Sequence, residues 1–341
     1  NGIAPAARLV GVKVFDAQGR GSYADVIRGI DWIVTNRRTH HIEIINMSLS
    51  APTRSHNWDD PLNQAVMAAW DAGIVVVASA GNTGPDPMTI GVPGNVPYVI
   101  TVGAMTDSYT PSVNNDDALA SFSAAGPTVE GFVKPEVVAP GGHIVGLMNN
   151  TMSIAQAHPE YHDGGAYFTM SGTSQSASVV SGIVALMLEA EPDLTPDEVK
   201  CKLMSAARPA VDASGKLAYS VFQQGAGMVN AYDAVYSTNY DCANRGMDIS
   251  ADLGGTVHYG GRANVDENGN YYIMGLEGYL WTDGYLWTDG YLWTDGYLWT
   301  DAYLWTDAYL WTDGSVGANG YLWTDGYLWT DAYLWTDGYL W

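Results

Sequence analysis

The sequence predicts an α/β fold: a doubly wound parallel sheet, followed by an all-β repeat tail. Two observations carry this. Through residues 1–238, apolar runs of strand length alternate with helical patterns. Near-continuous apolar strands separated by helices mean a parallel sheet covered on both faces. From Tyr279 to Trp341 a six-residue unit, Tyr-Leu-Trp-Thr-Asp-Gly, recurs, and a fixed period of this kind marks a repeat architecture. Between these parts, residues 239–272 are Gly- and Asn-rich and read as a connection that turns into β structure. The repeat tail is then 273–341.

The elements follow in order. Leu9 to Phe15 is an apolar, β-branched run and is expected as a strand. Ser22 to Thr35 carries Ala24, Ile27, Ile30 and Ile33 near helical spacing. Ile42 to Leu49 is a second buried strand. Asp60 to Ala72 is a helix with Leu62, Val66, Ala69 and Trp70 on one face. Ile74 to Ala78 and Tyr98 to Val102 are further strands. Gln175 to Leu188 is a mostly apolar helix too short to span a bilayer, hence a core helix. Thr195-Pro-Asp-Glu198 is a capping box with Pro at the first helical position. Beyond it, Thr256 to Tyr259, Arg262 to Val265 and Asn270 to Met274 read as short strands joined by turns.

Composition limits the function classes. The 341 residues carry 14 Lys and Arg against 37 Asp and Glu, a net charge of −23. That excludes the basic footprint of a general nucleic-acid binder and a polybasic membrane anchor. No apolar run is long enough for a membrane-spanning helix. Two cysteines exclude a disulfide-rich scaffold and a four-thiolate zinc site, and no metal site is read from the sequence. The N-terminal Asn-Gly-Ile-Ala-Pro shows no signal-peptide pattern. The aromatic balance is unusual, with 13 Trp and 22 Tyr but only 5 Phe.

Parallel sheets place their sites at the carboxyl ends of strands, and two strand ends stand out. Ser79-Ala-Gly-Asn82-Thr-Gly-Pro follows Ile74 to Ala78. On its own it reads as a turn, since Asn and Gly both tolerate positive φ. Ser171-Gly-Thr-Ser174 precedes the core helix. A Ser at a buried helix N-terminus has free N–H groups and the helix dipole beside its hydroxyl. The ordinary alternative is an N-cap.

Taken in order, these segments resemble the subtilisin-like serine peptidases (peptidase family S8), over the C-terminal three-quarters of the catalytic domain. The resemblance runs through Gly2 to Val14 (GIAPAARLVGVKV), Asn46-Met-Ser-Leu-Ser50, Ala78-Ser-Ala-Gly-Asn82, Ala120 to Pro127 (ASFSAAGP), Lys134 to Gly141 (KPEVVAPG), Ser171 to Ser174 and Gly225 to Ala231 (GAGMVNA). It implies a subtilisin-like sheet and acyl-transfer chemistry. Ser174 would be the nucleophile. Asn82 would donate to the oxyanion together with the Ser174 backbone N–H. Ser48, Leu49 and Ser50 would bind an extended polypeptide substrate, and Ala78, Ser79, Ala80 and Gly81 would wall the specificity pocket.

The family's Asp and His precede Gly2 to Val14, so both are expected on an upstream or separate fragment. The seven histidines (His40, His41, His56, His143, His158, His162 and His258) lack the family's sequence context and read as surface loop residues. The chain departs from the pattern after Ser174. Gln175, Ser176, Ser178 and Val179 stand where the family usually has Met-Ala and then Pro-His. A secreted protease implies an extracellular or cell-surface location, in which Cys201 and Cys242 would form a disulfide; two free thiols are the alternative.

The repeats hold 10 of the 13 Trp, nine Asp and no Lys or Arg. Ser315 to Gly320 (SVGANG) has lost the motif but kept the length. Asp-Gly between β-prone runs is a hairpin signal and favours a β-meander. Three hexads per coil would instead give a β-solenoid. Ala302, Ala308 and Ala332 replace the turn Gly, which counts against a positive-φ turn. An aromatic ribbon with an open edge suggests self-association through residues 273–341. Anchoring to polysaccharide is the other use. No cofactor is certain; Ca²⁺ on the Asp rows is possible chemistry, although turns alone explain Asp. Two readings emerge: a serine endopeptidase with an assembly or anchoring tail, or a structural fibre subunit whose peptidase fold is inactive.

Overall fold

The computed structural model describes residues 2–274 except 17, 107–116, 213–215 and 267, together with the strand backbones within 279–336. The chain divides into two compact units, Asn1–Gly261 and Arg262–Trp341.

In the first unit, α1 (Tyr23–His40) starts at Ser22, whose hydroxyl and Asp25 form a capping box. β1 (Ile44–Met47) follows. α2 (Pro61–Asp71) is capped by Asp60, which accepts from the Leu62 and Asn63 N–H groups. β2 (Val75–Ser79) is buried along its whole length. β3 (Ile100–Thr106), β4 (Ala118–Leu119) and β5 (Val137–Pro140) complete a five-stranded sheet. Its order is β1-β2-β3-β4, with β5 also on β3; only β3–β4 is antiparallel. This is a subtilisin-like α/β fold with a mixed, mainly parallel sheet.

β6 (Ile144–Leu147) and β7 (Tyr167–Met170) form an antiparallel arm that holds the short α3 (Ser153–Ala157). β7 leads into α4 (Thr173–Ala190), which packs against β1, β2, β3 and β5. Val180, Ile183, Val184 and Met187 of α4 are buried in the same core as Val75 to Ala78. α5 (Pro196–Ala206) carries the expected Thr195–Glu198 capping box. α6 (Val221–Gln224), α7 (Ala231–Tyr236) and α8 (Ile249–Leu253) finish the unit.

Three expectations change. Leu9 to Phe15 is extended but is not a ladder strand. Val12 and Val14 pack onto the core instead, against Gly29 of α1, where a Cβ would stand 2.7 Å from Val14. An apolar, β-branched run supplies burial; a strand also needs a hydrogen-bonding neighbour. Thr256 to Tyr259 is likewise not a strand. Residues 239–261 form a strap folded with the first unit, held by the Cys201–Cys242 disulfide. They are also held by Asp252, which accepts from Tyr98 Oη at 3.0 Å and pairs with His258 at 2.8 Å. The ring of Trp58 stacks between His56 and His258, at centroid distances of 4.6 and 4.8 Å. Not every histidine is a surface residue, since the His162 side chain is only 5% exposed.

In the second unit, β8 (Ala263–Val265) and β9 (Tyr271–Ile273) form an antiparallel hairpin. Ten short strands follow: β10 (Tyr279–Thr282), β11 (Tyr285–Thr288), β12 (Leu292–Thr294), β13 (Tyr297–Thr300), β14 (Tyr303–Thr306), β15 (Tyr309–Thr312), β16 (Val316–Ala318), β17 (Tyr321–Thr324), β18 (Tyr327–Thr330) and β19 (Leu334–Thr336). Each described pair is parallel and three units apart, as in Tyr279↔Tyr297 and Tyr285↔Tyr303. The strands fall into three sheets, β10-β13-β16-β19, β11-β14-β17 and β12-β15-β18. The Asp-Gly turns expected between units lie outside the described residues.

Candidate active site

The site is built at the carboxyl ends of β1 and β2, against the N-terminus of α4. β1 and β2 pair in register from Ile44↔Val75 to Met47↔Ala78. This places Ser48, Leu49 and Ser50 beside Ser79, Ala80 and Gly81, and Ser79 Oγ donates to Leu49 O at 3.2 Å. Ala78 to Gly81 are buried, whereas Ser48 and Ser50 are exposed. Gly81 adopts φ +113, and a Cβ there would come within 3.2 Å of Ser50 Oγ. Only glycine meets both demands without strain.

Ser174 is the second residue of α4 and half-buried. Its Oγ donates to Ser48 O at 3.3 Å, and Ser48 Oγ donates to Ser174 O at 2.8 Å. Asn46 Nδ2 in turn donates to Ser48 Oγ at 3.0 Å. The nucleophile candidate and the exposed strand end are therefore tied in both directions. The departures from the family pattern fit locally: Ser178, in place of Pro, donates its hydroxyl to Ser174 O at 3.0 Å.

Asn82 is set by a residue that the sequence reading did not single out. Thr173 donates both its backbone N–H and its hydroxyl to Asn82 Oδ1, each at 2.9 Å. Thr173 Oγ1 also accepts from the Gly81 N–H at 3.2 Å. With Oδ1 occupied twice, the amide orientation is fixed and Nδ2 faces the other way. Nδ2 lies 3.3 Å from where a Cβ on Gly172 would stand, so Gly172 keeps open the space in front of it. The Ser-Gly-Thr-Ser spacing was the available signal for Thr173, but its partner lies 91 residues earlier.

The histidines with described ring contacts are engaged elsewhere. His40 stacks on Trp32, His56 pairs with Glu130, His158 with Glu160 and His258 with Asp252, and His162 Nε2 is 3.1 Å from Met148 O. Among the described residues no cluster of His, Cys, Asp and Glu suits a metal ion, and no helix is long and apolar enough to cross a membrane.

The chain belongs to the Subtilase family, whose profile matches residues 1–227. It is similar to serine protease AprX of Bacillus subtilis, 44% identical over 239 residues, which cover 69% of this chain and 52% of that protein. It is also similar to the subtilisin of Bacillus pumilus, 35% identical over 235 residues, which cover 68% of this chain and 70% of that one. The first unit's fold is shared with the patellamide maturation protease PatA, at 30% identity and a TM-score of 0.52, covering 69% of this chain and 75% of that one. The chain spans about half the length of the first curated relatives it matches, 52% and 45%.

Proposed function

We propose that this chain carries the nucleophile and oxyanion half of a secreted or cell-surface serine endopeptidase. The observation that carries the reading is the double anchoring of Asn82 Oδ1 by Thr173, which aims a carboxamide donor across the N-terminus of the helix bearing Ser174. Ser174 Oγ attacks the scissile carbonyl of a polypeptide. Asn82 Nδ2 and the Ser174 N–H receive the oxyanion, and the acyl-enzyme is then hydrolysed by water. Ser48 to Ser50 pair with the substrate as an added strand, and Ala78 to Gly81 line its side-chain pocket. In this reading the general base and its orienting carboxylate are supplied by an upstream or separate segment. The parallel pairing three units apart supports reading the repeats as a three-sided β-solenoid that serves self-association or anchoring.

The test is labelling of native material with a fluorophosphonate probe, followed by peptide mapping. Modification of Ser174, absent in Ser174→Ala, is the expected result. Native material that leaves Ser174 unmodified overturns the reading.

A further inference from the structure

Lys200 of α5 is a buried amine that the peptidase reading does not use; it is 4% exposed. Its Nζ stands 3.0 Å from Asn244 Oδ1 and 2.9 Å from Glu136 Oε1, a carboxylate that is itself buried. It also donates to Pro97 O at 2.7 Å and Tyr98 O at 3.1 Å. At the other end of the carboxamide, Asn244 Nδ2 donates to Asp197 Oδ1 at 2.6 Å and to Tyr98 O at 3.0 Å. Asp197 is held in turn by Trp70 Nε1 at 2.9 Å. A primary amine, a carboxamide and a carboxylate at each end are thus assembled in one place between α5 and the strap, with Lys200 and Glu136 buried and Asn244 and Asp197 half-buried.

We infer that Lys200 and Asn244 form an intramolecular amide bond, a covalent link from α5 to the strap. The reaction is a transamidation. Glu136 accepts a proton from the Lys200 ammonium, and the freed amine attacks Asn244 Cγ, with the carbonyl electron pair moving onto Oδ1. The pair returns, the Cγ–Nδ2 bond breaks, and the Nζ–Cγ bond remains. Lys200 nitrogen gives up two protons in all. The departing nitrogen gains two and leaves as ammonium beside Asp197. Charge and atoms balance, and no oxidant or co-reactant is needed.

Three features favour the step. Cγ lies one carbonyl bond, about 1.23 Å, beyond the oxygen that Nζ already touches, so a small rotation brings it to the ~3–3.5 Å of a near-attack arrangement. The part-buried carboxamide is held at both ends, by Lys200 on its oxygen and by Asp197 and Tyr98 O on its nitrogen, so the amine already occupies the approach that a hydrolysing water would need. Glu136 Oε1 is also the partner of Lys134. With its Oε1 2.9 Å from Lys200 Nζ, Glu136 is placed to take the proton that the amine must lose.

The test is the intact mass and peptide map of the full chain after the disulfide is reduced and alkylated. The expected mass falls short of the sequence mass by one ammonia, with a branched peptide joining the Lys200 and Asn244 segments. Asn244→Ala should restore the full mass, and Glu136→Gln should slow or abolish the link. Ser174→Ala should keep the bond, which separates this inference from the peptidase reading. A wild-type map with linear peptides and an unaltered Asn244, or with Asn244 recovered as Asp, overturns it. That map decides the matter even if a variant fails to fold.

Discussion

In the proposed reading, Asn82 combines two jobs in one carboxamide. Its oxygen accepts from Thr173 and its nitrogen faces the site, so substitutions can separate them. Asn82→Asp keeps an acceptor for Thr173 but removes the donor. In material active toward a peptide substrate, kcat should fall by about 10²–10³ with KM little changed. The unfolding midpoint should stay close to that of the wild type. Equal stability losses in Asn82→Asp and Asn82→Ala would assign the residue a purely structural role. Lys134 offers a test with a sign. Burial lowers its pKa from 10.5 to about 7. Between those values the unfolded chain binds more protons than the folded one, so stability rises with pH across that window. Urea unfolding at about pH 7 and pH 9.5 should show this rise, and Lys134→Met should flatten it. The Ser174 and Asn82 positions were legible as motifs. The orientation of Asn82 was not, because it depends on a contact 91 residues away in sequence.

Local chemistry governed which elements could be read from the sequence. α5 was legible because its start is self-contained: Thr195 and Glu198 exchange hydrogen bonds within one turn. Thr195→Ala should cost about 1 kcal/mol, read as a shift in urea midpoint at constant slope. Leu9 to Phe15 misled because an apolar pattern reports burial, and Val12 and Val14 are indeed packed, while ladder formation depends on a neighbour. The strap was legible only at its bridge, Cys201–Cys242. The rest of its attachment combines polar contacts through Asp252, Asn244 and His258 with the packing of Met247, Ile249 and Leu253 on the core, and Gly- and Asn-rich sequence around these few apolar residues reads as linker. Tyr98→Phe tests that attachment. It removes a donor from Asp252, which is 3% exposed, and should destabilise the unit by about 1–3 kcal/mol. No loss of stability would mean that the strap contributes little.

At the scale of the molecule, the repeats pose a question of connectivity. A hexad with a turn signal suggests neighbours pairing antiparallel, yet the strands pair in parallel with the unit eighteen residues on, as Thr288↔Thr306. The sequence left both open because every unit is nearly the same, so period alone cannot say which unit is the neighbour. Register can. In a three-hexad coil, Thr288 and Thr306 sit on adjacent rungs about 4.8 Å apart. In a meander they lie three strands apart, about 14 Å at the same spacing. Spin labels at these two positions should therefore couple strongly, and more strongly than a pair at Thr288 and Thr300, which a coil places on different sheets. The reverse order would restore the meander. A coil leaves strand edges open only at its two ends. Association through the tail would then be set by those ends, and cutting the tail back to Ala302 should leave it as prone to associate as before, because the new last coil, Tyr285 to Ala302, presents three Tyr-Leu-Trp-Thr hexads in the same register.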